Sequence, residues 1–449
     1  MQKNFPLTVA TVLIVLAPLD AWAYLDPGTG SMLLSVVVGL ASSAYFVARR
    51  LPSMIRSLIY RMTGKRDEIR HNRIAIYSES KSYWSTWRPV LHALVERGEP
   101  VTYLTSAEDD PVFKEDFGEK KNLVSASFIG KGNTAYTALG FLEADIFVLT
   151  TPGIDVLQIR RSPGVKRYVH VVHALGDIHT YKLFSFDYYD AVLCSGEAQA
   201  KSLRALERIR GTVPKALPLV GCPYLDGLVH RAKTLTAAPA EDTVIVAPTW
   251  GRNGMLTRCG ALVPKLLAEA GWHVILRPHP QSFISDKDVI AEVEKDLAPY
   301  PNVEWDRNPD GFATLSRAAV MVSDVSGVIF DFAFVFLRPV VTIGDGPLRD
   351  GFEAWEIPHP AWETVAMEEL GAHIRPGDEA KVADTVRNLM TDSDSRRERI
   401  VALRQANAVN FGHAGAAVAD ALLSIEEELH TKNTPEAHTI TAAAEVRHA

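Results

Sequence analysis

Residues 318–333 read AAVMVSDVSGVIFDFA, and this stretch decides how the chain is expected to fold. Its first six residues predict a buried strand, and the residues from Val328 onward have the apolar character of a helix. The turn between them is small and polar. It places backbone N–H groups and the Ser326 hydroxyl at a helix N-terminus, where the helix dipole favours an anion. The stretch therefore predicts a site for a phosphate or a diphosphate.

The same alternation of apolar runs and helical segments extends to both sides of this stretch. A first series predicts a helix at 84–96 and strands at 74–77, 101–104, 146–149, 168–172 and 191–194. A second series predicts a helix at 262–270 and strands at 243–247, 273–276, 303–305, 320–322 and 340–343. Short β-branched runs bounded by turn residues are typical of buried parallel strands. The chain is therefore predicted to be α/β, with two Rossmann-like doubly wound domains at 73–235 and 236–427 and a ligand cleft between them.

The N-terminal residues are predicted to carry membrane signals. Residues 1–23 contain an apolar run that ends in an A-x-A pattern, which is typical of a signal-like or first apolar segment. Residues 24–72 contain an apolar run long enough to span a bilayer, followed by a basic juxtamembrane helix. Whether the first run is cleaved or both runs persist, the positive-inside rule predicts that the large C-terminal part lies in the cytoplasm, at the inner membrane. The polar tail 428–449 is predicted to be disordered.

Composition restricts the possible functions. The chain is 47% apolar and 22% charged, as expected for a folded globular protein. Its net charge of −7 argues against a nucleic-acid partner. Three cysteines, Cys194, Cys222 and Cys259, have neither metal-ligand spacing nor a paired pattern and are expected to be incidental thiols. No cofactor is expected.

Polar residues follow the predicted strands, and in open α/β sheets ligands bind beyond the carboxyl ends of the strands. His173, Asp177 and His179 follow the strand at 168–172. His173 is placed to act as a general base or as a phosphate donor, whereas His170 inside the strand is expected to be structural. The spacing of His173 and His179 has no recognised set of accompanying ligands, so no metal site is expected.

The second domain holds the predicted phosphate ligands, which follow three different strands. They are Thr249, Arg277, His279, Ser326 and Gly327. Arginine, histidine and hydroxyl groups suit phosphate oxygens because they donate charge-assisted or neutral hydrogen bonds. Arg252 is expected to add charge, Asp324 to act as an N-cap or as a ligand contact, and Asp331 to orient the turn from inside the helix, if it has a functional role.

Five motifs occur in a characteristic order. They are VVH ending at His173, GCPYLD at 221–226, APTW at 247–250, RPHP at 277–280 and SDVSGVIFDFA at 323–333. In this order they resemble the CDP-glycerol:poly(glycerophosphate) glycerophosphotransferase family, which includes the teichoic-acid primases and polymerases. The resemblance covers residues 170–344 well and the remainder of the first domain by pattern alone.

The resemblance implies a GT-B fold, a CDP-linked donor in the second domain, and His173 and His279 as the catalytic histidines. His173 would be the base, His279 would contact donor phosphate, and Ser326 with Gly327 would hold the diphosphate. The implied reaction is attack of an acceptor hydroxyl on the β-phosphorus of CDP-glycerol, with CMP leaving. The implied acceptor is a polysaccharide or lipid-linked molecule of the cell envelope.

Two departures from the family motifs leave the substrates open. The family's Trp-His-Gly-Thr-Pro-Leu-Lys is replaced here by VHALGDI at 172–178, which leaves the acceptor open. The family's Ser-Ser pair is Ser326-Gly327, which leaves CDP-ribitol or a nucleotide sugar open as the donor. One alternative function is therefore that of a GT-B glycosyltransferase or a UDP-sugar epimerase relative. Another is a non-catalytic, membrane-anchored nucleotide-binding protein.

Overall fold

A computed structural model describes residues 72–431, except for 237, 309, 325, 345–348 and 392. The predicted segments 1–23 and 24–71 and the tail from 432 onward lie outside the described residues, so the predicted membrane segment does too. Within the part that is described, no helix combines the length and the hydropathy that a bilayer crossing requires.

The described residues form two six-stranded sheets in which all the paired strands are parallel. The strands of the first sheet are β1 (Asn72–Ser78), β2 (Val101–Thr105), β3 (Val124–Phe128), β4 (Ala144–Leu149), β5 (Val165–Val171) and β6 (Ala191–Leu193). Their order across the sheet is β3-β2-β1-β4-β5-β6. This is the Rossmann order, and its topological switch point lies between β1 and β4.

The second sheet repeats this order. Its strands are β7 (Ala240–Val246), β8 (His273–Leu276), β9 (Val303–Trp305), β10 (Ala318–Ser323), β11 (Val340–Ile343) and β12 (Gly371–Ile374). Read from β9, the order is β9-β8-β7-β10-β11-β12, so the switch point lies between β7 and β10. The two predicted Rossmann-like units are therefore confirmed, and the quoted stretch 318–333 lies at the switch point of the second.

Helices flank both sheets. Those of the first half are α1 (Trp84–Glu96), α2 (Asn133–Leu139), α3 (Glu197–Arg210) and α4 (Pro223–Lys233). The later ones are α5 (Met255–Cys259), α6 (Leu262–Glu269), α7 (Ser282–Ser285), α8 (Lys287–Leu297), α9 (Phe312–Arg317), α10 (Val328–Phe336), α11 (Trp362–Ala366), α12 (Val382–Met390), α13 (Ser393–Asn407) and α14 (Ala414–Thr431). In α1 the buried residues Trp87, Val90, Leu91 and Leu94 recur at helical spacing and face the sheet core.

The helix α14 returns to the first half of the fold. Its Val418 and Leu422 lie in the same buried cluster as Leu91 of α1. A Cβ atom at Gly415 would lie 2.6 Å from the Cβ of Pro89, so the close approach of the two helices requires glycine. The apolar side chains of α14 are buried in the same core as those of α1, and this burial favours the return.

This return corrects the predicted domain boundaries. The second domain was expected to run to 427 and a disordered tail to follow, but α14 from Ala414 completes the first half and continues as a helix to Thr431. Its position is fixed at both ends. Asp226 of α4 accepts the backbone N–H of Gly415 at 2.7 Å, and Arg73 of β1 forms two hydrogen bonds with Glu426, at 2.6 and 2.7 Å.

The segment between β11 and α11 also binds the first half. Arg210 of α3 forms ion pairs with Asp187 at 2.7 Å, with Glu356 at 2.6 Å, and with Glu353. The backbone N–H of Glu353 donates to the carbonyl of Tyr181 at 2.8 Å. The two halves are therefore joined by ion pairs, by backbone hydrogen bonds and by the return of the chain into α14.

Candidate active site

The switch point of the second sheet is built around the buried carboxylate of Asp324, directly after β10. Its Oδ1 accepts the backbone N–H of Thr249, and its Oδ2 accepts that of Met255, both at 2.8 Å. Burial raises the pKa of this carboxyl, and the two hydrogen bonds oppose the rise. Asp324 therefore holds the loop after β7 against the turn after β10. The N-cap alternative is wrong, because α10 is preceded by Gly327 with no side-chain cap.

The predicted phosphate turn is accessible to solvent. Ser326 is half-buried, and Gly327 is exposed immediately before the first residue of α10. Gly327 has a helical backbone, with φ −57° and ψ −29°. A Cβ atom at this position would meet no heavy atom within 4 Å. The turn therefore has room for a ligand above the helix N-terminus, and no feature of the backbone requires glycine there.

His279 projects from the loop after β8 and is exposed. Its Nδ1 accepts the backbone N–H of Gln281 at 3.1 Å, so the neutral ring carries its proton on Nε2. Partial burial and the nearby charge of Arg277 lower the pKa of His279. The exposed Trp250 ring lies 6.3 Å from the imidazole, centroid to centroid. His279 can therefore donate one hydrogen bond from Nε2 while remaining uncharged.

Arg277 has partners of its own behind this loop. Its guanidinium forms an ion pair with Asp306 at 2.5 Å and donates to the carbonyl of Asn308 at 2.7 Å, and its side chain is 13% exposed. Asp306 in turn accepts the hydroxyl of Thr314 at 2.6 Å. These contacts brace the RPHP loop. Contact of Arg277 with a donor phosphate stays a prediction.

His173 lies just beyond β5 and is half-buried between two aromatic rings. Its ring centroid is 5.2 Å from that of Tyr83 and 6.4 Å from that of Tyr181. Its Nδ1 is buried and has no hydrogen-bond partner among the described residues. Burial lowers the pKa of His173, so the imidazole is neutral at neutral pH. A neutral imidazole can accept a proton from a hydroxyl, as a general base must.

The loop of His173 lies against the helix that begins at the phosphate turn. Leu175 is in the same buried cluster as Ile329 and Phe330 of α10, and its carbonyl accepts the indole N–H of Trp362 at 3.1 Å. The structure therefore packs the loop of the predicted base against the helix that follows the predicted phosphate turn, although the two are about 150 residues apart in the sequence.

The remaining predicted residues differ in their exposure and in their contacts. Arg252 is exposed in the loop after β7. Asp177 and His179 are buried where the two halves meet. Asp331, in the first turn of α10, accepts the hydroxyl of Tyr224 at 3.0 Å, and burial raises the pKa of its carboxyl to about 7.

We expect Asp331→Asn to stabilise the protein at pH 8. The folded state keeps the Asp331 proton up to about pH 7, whereas an unfolded carboxyl loses it near 3.8, so stability falls as pH rises between these values. The amide retains an acceptor for Tyr224 and cannot ionise. At pH 8 the melting temperature of the variant should therefore be at least about 2–4 °C above that of the wild type. This difference corresponds to the free energy of about one pKa unit.

The measurement is the melting temperature between pH 4 and pH 8, and the difference should vanish towards pH 4. Asp310→Asn is a control of opposite sign, because Arg231 holds the pKa of the Asp310 carboxyl below its ordinary value. If the difference in melting temperature between Asp331→Asn and the wild type did not change with pH, ionisation of this carboxyl would not be its cause.

Two polar residues near the cleft were missed from the sequence. Glu79 directly follows β1 at the first switch point, where its carboxylate accepts the hydroxyls of Tyr136 at 2.8 Å and Thr151 at 3.1 Å. Arg258 of α5 donates to the carbonyl of Ile343 at the end of β11, at 3.2 Å. Glu79 could have been predicted from the sequence, because it follows a predicted strand as His173 does. No feature of the sequence pointed to Arg258.

A cavity of about 570 Å³ opens at the carboxyl ends of β11 and β12, on the same edge of the sheet as Asp324. Its lining includes Gly344, Thr364, His373 and Arg375. The His373 Nδ1 atom lies 3.0 Å from the Thr342 hydroxyl. The carboxyl edge of the second sheet therefore has an open helix N-terminus at its switch point and a larger, mixed polar and apolar cavity at β11 and β12.

Comparison with known proteins shows the fold. No protein-family profile matches the chain, and no curated protein sequence does. A structure of the wall teichoic acid polymerase TagF, with a histidine replaced by asparagine and soaked with CDPG, matches with a TM-score of 0.55 at 19% identity, over 87% of this chain and 97% of that one. UDP-GlcNAc 2-epimerase from Neisseria meningitidis, bound to UDP-GlcNAc, matches with a TM-score of 0.51 at 11% identity, over 79% of this chain and all of that one.

A further TagF structure matches with a TM-score of 0.53 at 17% identity, over 87% of this chain and 97% of that one. The resemblance to the teichoic-acid polymerases is thus confirmed at the level of the fold, and the two Rossmann-like units are of the GT-B type. One fold carries several chemistries, as the polymerase and the epimerase illustrate. The chemistry has to be argued from the site.

Proposed function

We propose that this protein transfers a glycerophosphate, or a similar polyol-phosphate, from a CDP-linked donor to a hydroxyl of an envelope polysaccharide or lipid-linked acceptor. The observation that supports the proposal is the packing of the loop that carries the neutral His173 imidazole against α10, whose N-terminus would bind the donor phosphate. Membrane association, proposed from the apolar and basic residues before 72, would bring the enzyme to such an acceptor.

In this mechanism His173 takes the proton of the acceptor hydroxyl as its oxygen attacks the β-phosphorus of the donor. A new phosphorus–oxygen bond forms to the acceptor, the bond between the β-phosphorus and the bridging oxygen breaks, and that oxygen leaves with CMP. The Nε2–H of His279, the hydroxyls of Thr249 and Ser326 and the N–H groups at the start of α10 would donate to the phosphate oxygens. Positioning and electrostatics supply most of the rate in phosphoryl transfer.

The nucleoside of the donor would lie in the cavity at the ends of β11 and β12. That cavity lies on the same sheet edge as the phosphate turn, and its volume of about 570 Å³ is in the range of small-molecule sites. The diphosphate would then extend from this cavity towards β7 and β10, where Asp324 fixes both loops.

The test uses the purified full chain with CDP-glycerol, CDP-ribitol, CTP and UDP-GlcNAc. We expect a rise in melting temperature with the CDP-polyols, and release of CMP when an acceptor fraction from cell envelopes is added. Stabilisation by UDP-GlcNAc without any cytidine compound would favour the glycosyltransferase or epimerase alternative. Stabilisation by a cytidine compound without CMP release would favour the non-catalytic alternative.

Gly327→Ser is expected to strengthen donor binding without loss of stability. The helical backbone and the open space at Gly327 accept a side chain, so the melting temperature should stay within about 2 °C of the wild type. The added hydroxyl can donate to a phosphate oxygen, and a hydrogen bond to a charged group contributes about 1.5–3 kcal/mol. The dissociation constant for CDP-glycerol should therefore fall by about tenfold.

Calorimetric titration with CDP-glycerol measures this change. Gly327→Ala is the matched control, because it fills the same space without a donor. If the serine and alanine variants bound CDP-glycerol equally, the diphosphate could not lie at this turn.

A further inference from the structure

Behind the His173 loop, side chains from both halves of the fold surround a small buried space. Asp177 and His179 come from the loop after β5, His359 from the segment between β11 and α11, and Ser202 from α3. Oδ2 of Asp177 lies 3.3 Å from Nδ1 of His179 and 3.1 Å from the Ser202 hydroxyl. That hydroxyl is 3.0 Å from Nε2 of His359. We call these four residues the interhalf cluster.

Two states of His179 are compatible with its contacts: an imidazolium paired with the Asp177 carboxylate at 3.3 Å, or a neutral ring whose Nδ1 has no suitable partner. Its Nε2 lies 2.9 Å from the carbonyl oxygen of His359, and a carbonyl only accepts, so Nε2 carries a proton. In the neutral ring, Nδ1 then points a lone pair at the carboxylate of Asp177. This Nδ1 is buried, with the residue 1% exposed, and it has no hydrogen bond among the described residues. A cation between Nδ1 and Oδ2 would remove this repulsion.

The spacing of the three residues suits one metal ion. One ligand atom from each of Asp177, His179 and His359 lies within 4.8 Å of the other two. The contacts described above point to Oδ2, Nδ1 and Nε2 as these atoms. Two imidazole nitrogens and one carboxylate oxygen are a common ligand set for Zn²⁺, which leaves a fourth position open. The hydrogen bond from Nε2 of His179 to a carbonyl is the usual second interaction of a zinc-bound histidine.

A cavity gives access to this position. Its volume is about 310 Å³, and its lining includes Asp177, Lys201, His359 and Trp362. An ion can therefore reach the cluster from solvent, and a water molecule can occupy its fourth coordination position.

We propose that Asp177, His179 and His359 bind one Zn²⁺ ion that joins the two halves of the fold. The ion would fix the loop that carries His173 to the segment between β11 and α11 without taking part in the transfer step. This revises the sequence-based expectation of no metal site. His359 lies 180 residues after His179, so no local spacing motif could have revealed the set.

The test is metal binding by the purified full chain after treatment with EDTA and desalting. Zn²⁺ is then added, unbound metal is removed, and zinc per chain is measured by mass spectrometry alongside the melting temperature. We expect about one zinc per chain in the wild type and a rise of at least about 3 °C in melting temperature. In His359→Ala the affinity for Zn²⁺ should fall by at least about 100-fold, and the thermal shift should be lost.

Asp177→Asn keeps the test informative if His359→Ala folds poorly. Its amide oxygen retains the acceptor for the N–H of Ile178, which is 2.7 Å from Oδ1, and its amide N–H₂ can donate to Nδ1 of His179. This variant should be folded and bind no zinc. His230→Ala, an exposed histidine of α4, should bind zinc like the wild type. So should His430→Ala, which removes a member of a second group of possible ligands with Asp145 and Glu426.

Two results would overturn the proposal. The first is a zinc content of the wild type below about a tenth of an ion per chain. The cluster would then be an ordinary imidazolium–carboxylate pair. The second is zinc uptake that Asp177→Asn leaves unchanged or that His430→Ala abolishes, which would place the ion elsewhere.

Discussion

Replacement of His173 by alanine should reduce CMP release by about 10²- to 10⁴-fold, the usual contribution of a general base. The Nδ1 atom of the neutral imidazole has no hydrogen-bond partner among the described residues, and alanine cannot accept the proton of the acceptor hydroxyl. Donor binding should persist, because the predicted phosphate contacts come from the second half. Initial rates of CMP release and thermal shifts with CDP-glycerol measure the two effects separately.

His230→Ala provides the matched control, since it removes an exposed histidine of α4 that has no role in the proposed transfer. Activity of His173→Ala within about threefold of the wild type would show that another group takes the proton. The pH profile offers a second check. Because burial lowers the pKa of His173, the acidic limb of kcat/KM should lie below about 6.5, the ordinary histidine value.

Replacement of Asp324 by asparagine should destabilise the protein and weaken donor binding together. Both carboxylate oxygens accept backbone N–H groups, from Thr249 and Met255. In the variant an amide N–H₂ must face one of these donors, which leaves a buried N–H without an acceptor at a cost of about 1–3 kcal/mol. The loop after β7 would then lose its fixed position beside the phosphate turn.

Urea denaturation measures the loss of stability, and calorimetry with CDP-glycerol measures the loss of affinity. Asp286→Asn is the matched control, because Asp286 accepts one N–H from Gly251 in the same loop, at 2.9 Å, and is less buried. An asparagine there can rotate its oxygen to the donor. If the two variants had equal effects, the two hydrogen bonds of Asp324 would not be what fixes the loop.

The central strands of both sheets could be predicted from the sequence, and so could one edge strand of each sheet, β6 and β9. The central strands β4 and β10 are buried at every residue, and apart from Asp145 and Ser323 they are apolar. The other edge strand of each sheet escaped prediction. β3 reads VSASF and β12 reads GAHI, and both are largely exposed or half-buried, so their sequences lack the apolar signal of a central strand.

The residues of the candidate site could be predicted from the sequence, but the contacts that hold their loops in place could not. Because ligands bind beyond strand ends, position alone pointed to His173, His279 and Ser326. The partners of these loops depend on distances in space. Asp324 binds N–H groups 69 and 75 residues before it, and Arg277 pairs with an aspartate 29 residues after it. The sequence alone does not show whether a charged side chain binds a ligand or another residue of the protein.

The position of α14 has a consequence for how the protein is made. The core beneath α1 is completed by residues that leave the ribosome last among those described, on the order of tens of seconds after α1 at ordinary rates of synthesis. During that interval the core of the first half lacks the apolar side chains of Val418 and Leu422. We expect the nascent first half to need protection from aggregation until α14 has been synthesised, even though its own sheet is complete by Leu193.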